Sequence, residues 1–443
     1  MVSFAAVAAA VAVVAGVPIL TAPPAAAVSP PPPDESFLPA AGPPAPPQAT
    51  QQRETCAPGQ GRQPAAAAPG AQLDMLDLPA VWPLTRGAGQ TVAVIDTGVA
   101  RHRLLSRLLP GGDYVSSGDG TDDCDGHGTL IAGIIGARGG FNGVAPDAAI
   151  LAIRQSSNKF GAVDDPAVSG YGDVGTLAQA IRVAADLGAT VINVSSVACV
   201  AAADALDDRA LGAALAYAVD VKNVVVVTAA GNVGGSGQCP AQNPVGSGEP
   251  DWQSVTAVAS PAWYDDLVLT VGSVGRDGAP STFSLAGPWV DVAAPGEGVV
   301  SLDPDGEGLA DRQPDDNEKP IAGTSYAAPV VSGIAALVRS RWPHLTARQV
   351  MARIERTARR PAAGWDPVVG HGVVDLSAAV SGGAPADPAP HPARRIGAPP
   401  TEVADPHPRR VAVAGAGVCI AAAILVAASA SARRRRGDGV TDH

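Results

Sequence analysis

Apolar runs and helical patterns alternate along most of the chain, from about residue 82 to residue 380. The apolar runs predict strands at 91–95, 148–153, 191–194, 224–227 and 267–271. The periodic segments predict helices at 127–136, 176–187, 206–219 and 326–341. Because the strands are apolar throughout, both of their faces are expected to be buried, as in a parallel sheet. The pattern therefore predicts an α/β domain with a doubly wound, mainly parallel sheet flanked by helices.

Both ends of the chain carry an apolar run of a different kind. Residues 4–20 are apolar and small alanines follow at 25–27, so we predict a signal peptide at 1–27. No Lys or Arg precedes this run, which leaves an uncleaved anchor as the alternative. Residues 411–430 are long enough to cross a bilayer, since about 20 apolar residues suffice. We predict a transmembrane helix at 409–432, with a buried core helix as the alternative.

The orientation of that helix follows from the signal peptide. Arginines lie on both sides of the run, at 394–395, 409–410 and 433–436, so their number alone does not fix it. The signal peptide places the main domain outside the cytoplasm and leaves the tail, 433–443, inside. We therefore predict a single-pass protein of the cell membrane with an extracytoplasmic main domain.

Proline-rich stretches separate the main domain from the two ends. Residues 28–50 are expected to be extended, polyproline-like chain, and they begin an N-terminal extension that runs to residue 73 and carries Cys56. Residues 381–408 are rich in Pro, Ala and Gly and are predicted to be a semi-rigid stalk.

Composition and cysteine usage narrow the classes of function. A net charge of −12 argues against a nucleic-acid-binding surface, which would be basic. Cys419 lies in the second apolar run, which leaves an even number of cysteines, typical of disulfides in an exported domain. Three pairings are possible, and free thiols are the alternative; we favour the pairs nearest in sequence, Cys56–Cys124 and Cys199–Cys239. No Cys-x-x-Cys or His-rich spacing is present, so we expect no metal site and no cofactor.

An acidic segment lies at residues 119–125. It contains Asp119, Asp122, Asp123 and Asp125. Their spacing lacks the EF-hand pattern of a calcium site. We interpret the segment as an acidic, solvated loop.

Three short segments supply an acid, a base and a hydroxyl, each beside glycine. They hold Asp96 in Val-Ile-Asp-Thr-Gly, His127 in Asp-Gly-His-Gly-Thr and Ser325 in Gly-Thr-Ser-Tyr-Ala-Ala-Pro. Serine hydrolysis at neutral pH needs these three groups, because an imidazole must take the hydroxyl proton and a carboxylate must orient the imidazole. Each segment alone has a structural alternative: a strand-end cap, a structural histidine and a helix N-cap.

Asn232 is a fourth candidate, just beyond the predicted strand 224–227. Its side-chain amide would donate to an oxyanion alongside the N–H of Ser325. The alternative is a turn residue, since Gly-Asn is common in loops. All four residues stand at element ends, and ligands of parallel sheets bind at the carboxyl ends of the strands.

The chain resembles the subtilisin-like (subtilase) serine peptidases over 82–380. Besides the catalytic segments, residues 143–146, 191–195, 291–296 and 370–375 match that family's pattern. The resemblance implies a subtilisin-like fold and a catalytic domain at 74–380. It also implies that Asp96, His127 and Ser325 form a triad with Asn232 as oxyanion donor.

The order of segments is similar to that of the mycosins, membrane-anchored proteases of actinobacterial type VII secretion systems. That resemblance implies exported protein substrates and a secretion membrane complex as partners, and no nucleic acid. In mycosins the extension wraps the domain. Because 28–73 is also short and Pro-rich for a folded inhibitor, we predict activity without its removal.

Two departures concern the substrate site. Tyr326 stands where secreted subtilisins usually have Met, a variant that mycosins share. Val197, Ala198 and Cys199 replace a Gly pair on the edge that normally binds substrate backbone, so Val197 would narrow the pocket. The substrate-binding residues implied by the resemblance are Ser195, Ser196, Val197, Ala229, Ala230 and Gly231.

Two functions are consistent with the sequence. The first is a serine endopeptidase that cuts exported proteins through an acyl-enzyme. The second is a structural cap or scaffold of the secretion complex, with proteolysis secondary. A pseudoenzyme is disfavoured because the catalytic set is complete.

Overall fold

A computed structural model describes residues 28–59, 72–166, 170–204, 206–235, 238–246, 248–313 and 316–383. The predicted signal peptide (1–27), all but the first three residues of the stalk (381–408), the transmembrane helix (409–432) and the tail (433–443) lie outside these residues. Within the described ranges, no helix has the length and apolar character needed to span a bilayer.

The described chain forms strands and helices in alternation. The strands are β1 (Thr50–Gln52), β2 (Thr91–Asp96), β3 (Leu108–Asp113), β4 (Ala149–Arg154), β5 (Phe160–Ala162), β6 (Val191–Val194), β7 (Ala198–Ala201), β8 (Val225–Ala229), β9 (Ala257–Ser260), β10 (Leu269–Val274), β11 (Val292–Pro295), β12 (Ser301–Leu302), β13 (Leu309–Ala310), β14 (Arg312–Gln313) and β15 (Asp316–Pro320). The α-helices are α1 (Leu78–Val81), α2 (His127–Gly136), α3 (Val174–Asp186), α4 (Arg209–Ala216), α5 (Thr324–Arg341), α6 (Ala347–Thr357) and α7 (Leu376–Val380).

A parallel sheet of seven strands, in the order β11-β10-β8-β6-β2-β4-β3, forms the centre of the described fold. Every neighbouring pair in it is parallel. All five predicted strands belong to this sheet, so the predicted α/β class with a mainly parallel sheet is confirmed. The sequence analysis did not identify the edge strands β3 and β11. In β3 the reason is visible, because Pro110 and the glycines that follow interrupt the apolar pattern.

All four predicted helices are present, three of them with shifted ends. Helix α2 has the predicted bounds, whereas α4 begins at Arg209 and passes into a π-helical turn at Tyr217–Val221. Helix α5 is buried along nearly all of its length and packs on α2 and on β6, β8 and β10. Its N-terminus is thereby fixed at the carboxyl ends of the central strands.

The described part of the N-terminal extension lies along the domain. β1 pairs antiparallel with β5, and Cys56 forms a disulfide with Cys124, one of the two predicted pairs. Nearer the N-terminus, the N–H of Val28 donates to the carbonyl of Trp252 at 3.1 Å. The extension is therefore held by backbone hydrogen bonds and a covalent bond.

Helix α5 approaches its neighbours most closely at a glycine. A Cβ added at Gly333 would lie 2.5 Å from Cβ of Val144, closer than carbon atoms pack. We expect Gly333→Ala to lower the free energy of unfolding by about 1–3 kcal/mol, because overpacking outweighs the gain in helix propensity.

The matched control is Gly175→Ala in the exposed first turn of α3, where the nearest atom to a new Cβ is a carboxylate oxygen of Asp173 at 3.3 Å. Chemical denaturation of both variants tests the idea. Equal stability of the two variants would contradict it.

Candidate active site

Asp96 and His127 meet at the carboxyl end of β2. The side chain of Asp96 is fully buried at the last position of the strand, and its Oδ1 lies 2.7 Å from Nδ1 of His127. The same oxygen accepts the N–H of Thr97 at 2.8 Å. His127 is the first residue of α2, and its side chain remains about one quarter exposed. The carboxylate thus fixes the ring while the other ring nitrogen stays available.

The glycine after the histidine is required by this approach of α2 to β2. A Cβ on Gly128 would lie 1.9 Å from the carbonyl oxygen of Gly98 and 3.2 Å from Cβ of Asp96. Any larger residue would separate the helix from the strand end. The glycine therefore sets the distance between the carboxylate and the imidazole.

Electrostatics favour a protonated imidazole. Burial lowers the pKa of His127, but the charge and the hydrogen bond of Asp96 outweigh it, so the pKa is raised above 6.5. Asp123 and Asp125 raise it further. Because its pKa is raised, the imidazole of His127 is stabilised in the imidazolium form that serine hydrolysis creates.

Asp123 organises the loop that leads into α2. One carboxylate oxygen accepts from the Thr97 hydroxyl and the Gly126 N–H, each at 2.8 Å. The other accepts from the N–H and the hydroxyl of Thr129, at 2.8 and 2.7 Å. Burial nevertheless raises the pKa of Asp123. This carboxylate caps the helix that starts with the histidine.

The prediction of a solvated acidic loop was therefore only partly right. Asp119 and Asp122 are exposed, but Asp125 is buried and accepts from the Ser157 hydroxyl and the Asn158 N–H. Its carboxylate is satisfied by these donors, which sequence spacing does not show.

Ser325 is the second residue of α5. Its Oγ donates to the carbonyl of Ser195 at 3.2 Å, and Oγ of Ser195 donates to the carbonyl of Ser325 at 2.8 Å. Asn193 extends this contact: its Nδ2 donates to Oγ of Ser195, and its Oδ1 accepts from the hydroxyl of Ser332, about two turns further along α5. The start of α5 is thus held against the carboxyl end of β6.

The residue after the serine contacts the histidine. The rings of Tyr326 and His127 lie 5.2 Å apart at an interplanar angle of 55°. Tyr326 is buried. The tyrosine thus packs beside the imidazole at the start of α5.

Asn232 lies beyond the end of β8 and faces the same helix start. Its Oδ1 accepts from the N–H and the hydroxyl of Thr324, at 3.0 and 3.1 Å. With the oxygen used in this way, the amide nitrogen is the group left to donate to a ligand. That nitrogen would lie 3.7 Å from a Cβ placed on Gly323, so it faces the backbone at the start of α5 at van der Waals distance.

The proposed substrate-binding residues lie on two adjacent segments, because β6 and β8 are neighbours in the sheet. Ser195, Ala229, Ala230 and Gly231 are buried, whereas Ser196 and Val197 are half-buried. The second predicted disulfide, Cys199–Cys239, is present beside them.

The structure thus gathers the four predicted groups at one edge of the sheet. Asp96 touches His127, His127 packs on the neighbour of Ser325, and Asn232 binds Thr324. Sequence reasoning missed the contributions of Asp123 and Asp125. An acidic residue just before a helix start was the available signal.

Comparison with known proteins gives the family. The subtilase (peptidase S8) family matches residues 87–372. Mycosin-4 of Mycobacterium tuberculosis is 61% identical over 357 residues, 77% of each chain. A crystal structure of MycP1 from Mycobacterium smegmatis has 42% identity and a TM-score of 0.74, covering 84% of this chain and all of that one. A chain in the structure of an intact ESX-5 inner membrane complex has 41% identity and a TM-score of 0.75, covering 91% and 100%.

The chain belongs to the subtilase family and is a subtilisin-like serine protease. Among subtilases, it is similar to the mycosins, several of which match most of its length.

We expect the imidazole of His127 to titrate above 6.5 and that of His371, whose pKa burial lowers, to titrate below it. Asp96→Asn removes the charge but leaves the burial, so it should lower the pKa of His127, while the pKa of His371 should stay unchanged. NMR titration of the imidazole resonances measures both. If the pKa of His127 were unchanged in Asp96→Asn, Asp96 would not control that pKa.

Proposed function

We propose that this protein is a membrane-anchored serine endopeptidase that cleaves exported proteins and is associated with type VII secretion. The observation that carries the proposal is the 2.7 Å contact between Asp96 and His127 at the sheet edge that also holds Ser325 and Asn232. A buried carboxylate, an imidazole and a serine at a helix N-terminus are the parts that acyl transfer needs.

The reaction then runs through two half-reactions. Nε2 of His127 takes the hydroxyl proton as Oγ of Ser325 attacks the peptide carbonyl carbon. Asn232 Nδ2 and the N–H of Ser325 hold the oxyanion. The imidazolium gives its proton to the leaving amine, and the acyl-enzyme forms. Water, deprotonated by the same imidazole, then releases the acid and restores the serine.

Membrane anchoring rests on the sequence and on the relatives. The predicted signal peptide at 1–27 and helix at 409–432 would place the catalytic domain outside the cytoplasm with the 433–443 tail inside. Several of the matched structures come from type VII secretion systems, one of them an intact ESX-5 inner membrane complex. We therefore propose an exported protein as substrate and a secretion membrane complex as partner.

The extension at 28–73 is proposed to remain in place during catalysis. Its described part is bound through β5, Cys124 and Trp252. These contacts lie on segments other than those that carry Ser325 and Asn232. An intact chain should therefore cleave peptides without trimming.

A second role is supported by the same comparison. Because a similar chain is seen within an assembled membrane complex, the domain would also serve as a structural cap of such a complex. This role needs the folded domain but not the hydroxyl of Ser325.

We expect Ser325→Ala to abolish peptide cleavage and Asn232→Ala to lower kcat by about 10²–10³, with a smaller effect on KM, because the amide acts on the transition state. Ser377→Ala, at an exposed position of α7, is the control and should retain full activity. Steady-state kinetics on a peptide library measures all three. Cleavage by Ser325→Ala at the wild-type rate would contradict the proposal.

Complementation separates the two roles. In a strain lacking this chain, Ser325→Ala should restore secretion but leave the exported substrate uncut, as seen by immunoblotting of culture filtrates. A variant that restores neither, although present at wild-type level in membranes, would show that the scaffold role depends on catalysis.

A further inference from the structure

We propose that the Cys199–Cys239 disulfide sets the width of the primary substrate pocket and restricts it to small side chains. The primary pocket is the one that accepts the residue before the cleaved bond. This inference rests on the proposed function, because it concerns the specificity of the same site.

The disulfide joins the two segments that wall the pocket. Cys199 lies in β7, two residues after Val197. Cys239 is tied to the other wall, because its N–H donates to the carbonyl of Asn232 at 2.9 Å. The sulfur–sulfur bond between them therefore links both sides of the cleft covalently.

The sulfur atoms also fill the space beside Gly231. A Cβ added at Gly231 would lie 2.9 Å from Sγ of Cys239 and 3.5 Å from Sγ of Cys199. The side chain of Leu285 closes the remaining direction at 3.3 Å. A side chain that reached past Gly231 would meet these atoms.

The walls are otherwise joined only through their neighbours in the described chain. β7 pairs with β9, whereas Gly231 donates to Thr324 and Val233 donates to Phe283. Without the disulfide, the half-buried segment 196–200 is still held by the pairing of β7 with β9, but it loses its covalent link to the side of the cleft that carries Gly231. The covalent bond thus prevents the cleft from widening around a large side chain.

The other disulfide provides a matched control. Cys56–Cys124 ties the extension to the loop before α2, on the histidine side of the site. Its loss removes a covalent constraint of similar kind but leaves both pocket walls joined. We expect the loss of Cys56–Cys124 to alter stability and overall rate, but not the preference for the substrate side chain before the cleaved bond.

The test compares two peptides that differ only in having Phe or Ala before the cleaved bond. In Cys199→Ser/Cys239→Ser the ratio of kcat/KM for Phe over Ala should rise at least about tenfold, since pocket contacts of one or two methylenes are worth that much. In Cys56→Ser/Cys124→Ser the ratio should stay at the wild-type value. Cys199→Ala/Cys239→Val, which keeps the space apolar without a bond, replaces the serine pair should that pair not fold.

An unchanged ratio in the 199/239 variants, or an equal rise in the control, would overturn the inference. Hydrogen exchange of the amides at 195–201 and 231–235 gives a readout independent of activity. Exchange of these amides should be faster in the 199/239 variants and unchanged in the control. Equal protection from exchange in both would overturn the inference. A wild-type chain that cleaves neither peptide contradicts the proposed function instead, and the exchange data still decide whether the disulfide holds the walls.

Discussion

The contact between the buried carboxylate of Asp96 and the ring of His127 is the interaction on which the site depends. A carboxylate at the end of an apolar strand is costly unless it is bonded, and here the imidazole and the N–H of Thr97 bond it. The hydrogen bond that offsets the cost of burying the carboxylate therefore also orients the imidazole of His127. Gly128 allows α2 to approach β2 closely, and the carboxylate of Asp123 accepts from the first turn of α2. The residues around the start of α2 therefore hold His127 against Asp96.

The candidate nucleophile, Ser325, lies in the first turn of the longest helix described. α5 is buried against the central strands, and Ser195 holds its first turn through two hydrogen bonds with Ser325. Tyr326 then packs on the histidine. Because β6 and β8 are adjacent, the same sheet edge presents the substrate walls and Asn232. The candidate catalytic groups, far apart in sequence, therefore lie at or just beyond the ends of strands and helices that pack together in the described fold.

The two disulfides constrain opposite sides of this edge. Cys56–Cys124 ties the extension beside the histidine loop, while Cys199–Cys239 joins the segments that flank the pocket. Disulfides persist in oxidising compartments outside the cytoplasm, which fits the export proposed for this domain. In the role proposed for Cys199–Cys239, a bond of this kind also restricts the side chains that the site accepts.

The sequence by itself determined the fold class, five of the central strands, the helix that carries the serine and the four candidate groups, because apolar periodicity and glycine-flanked motifs are local signals. It also favoured both disulfide pairs. It did not reveal β3, whose Pro110 masks the pattern, nor the burial of Asp125, which depends on donors from Ser157 and Asn158 beyond β4. Only the tertiary structure decided which donors satisfy each carboxylate and what fills the space beside Gly231. Those outcomes depend on distances between segments that no single stretch of chain encodes.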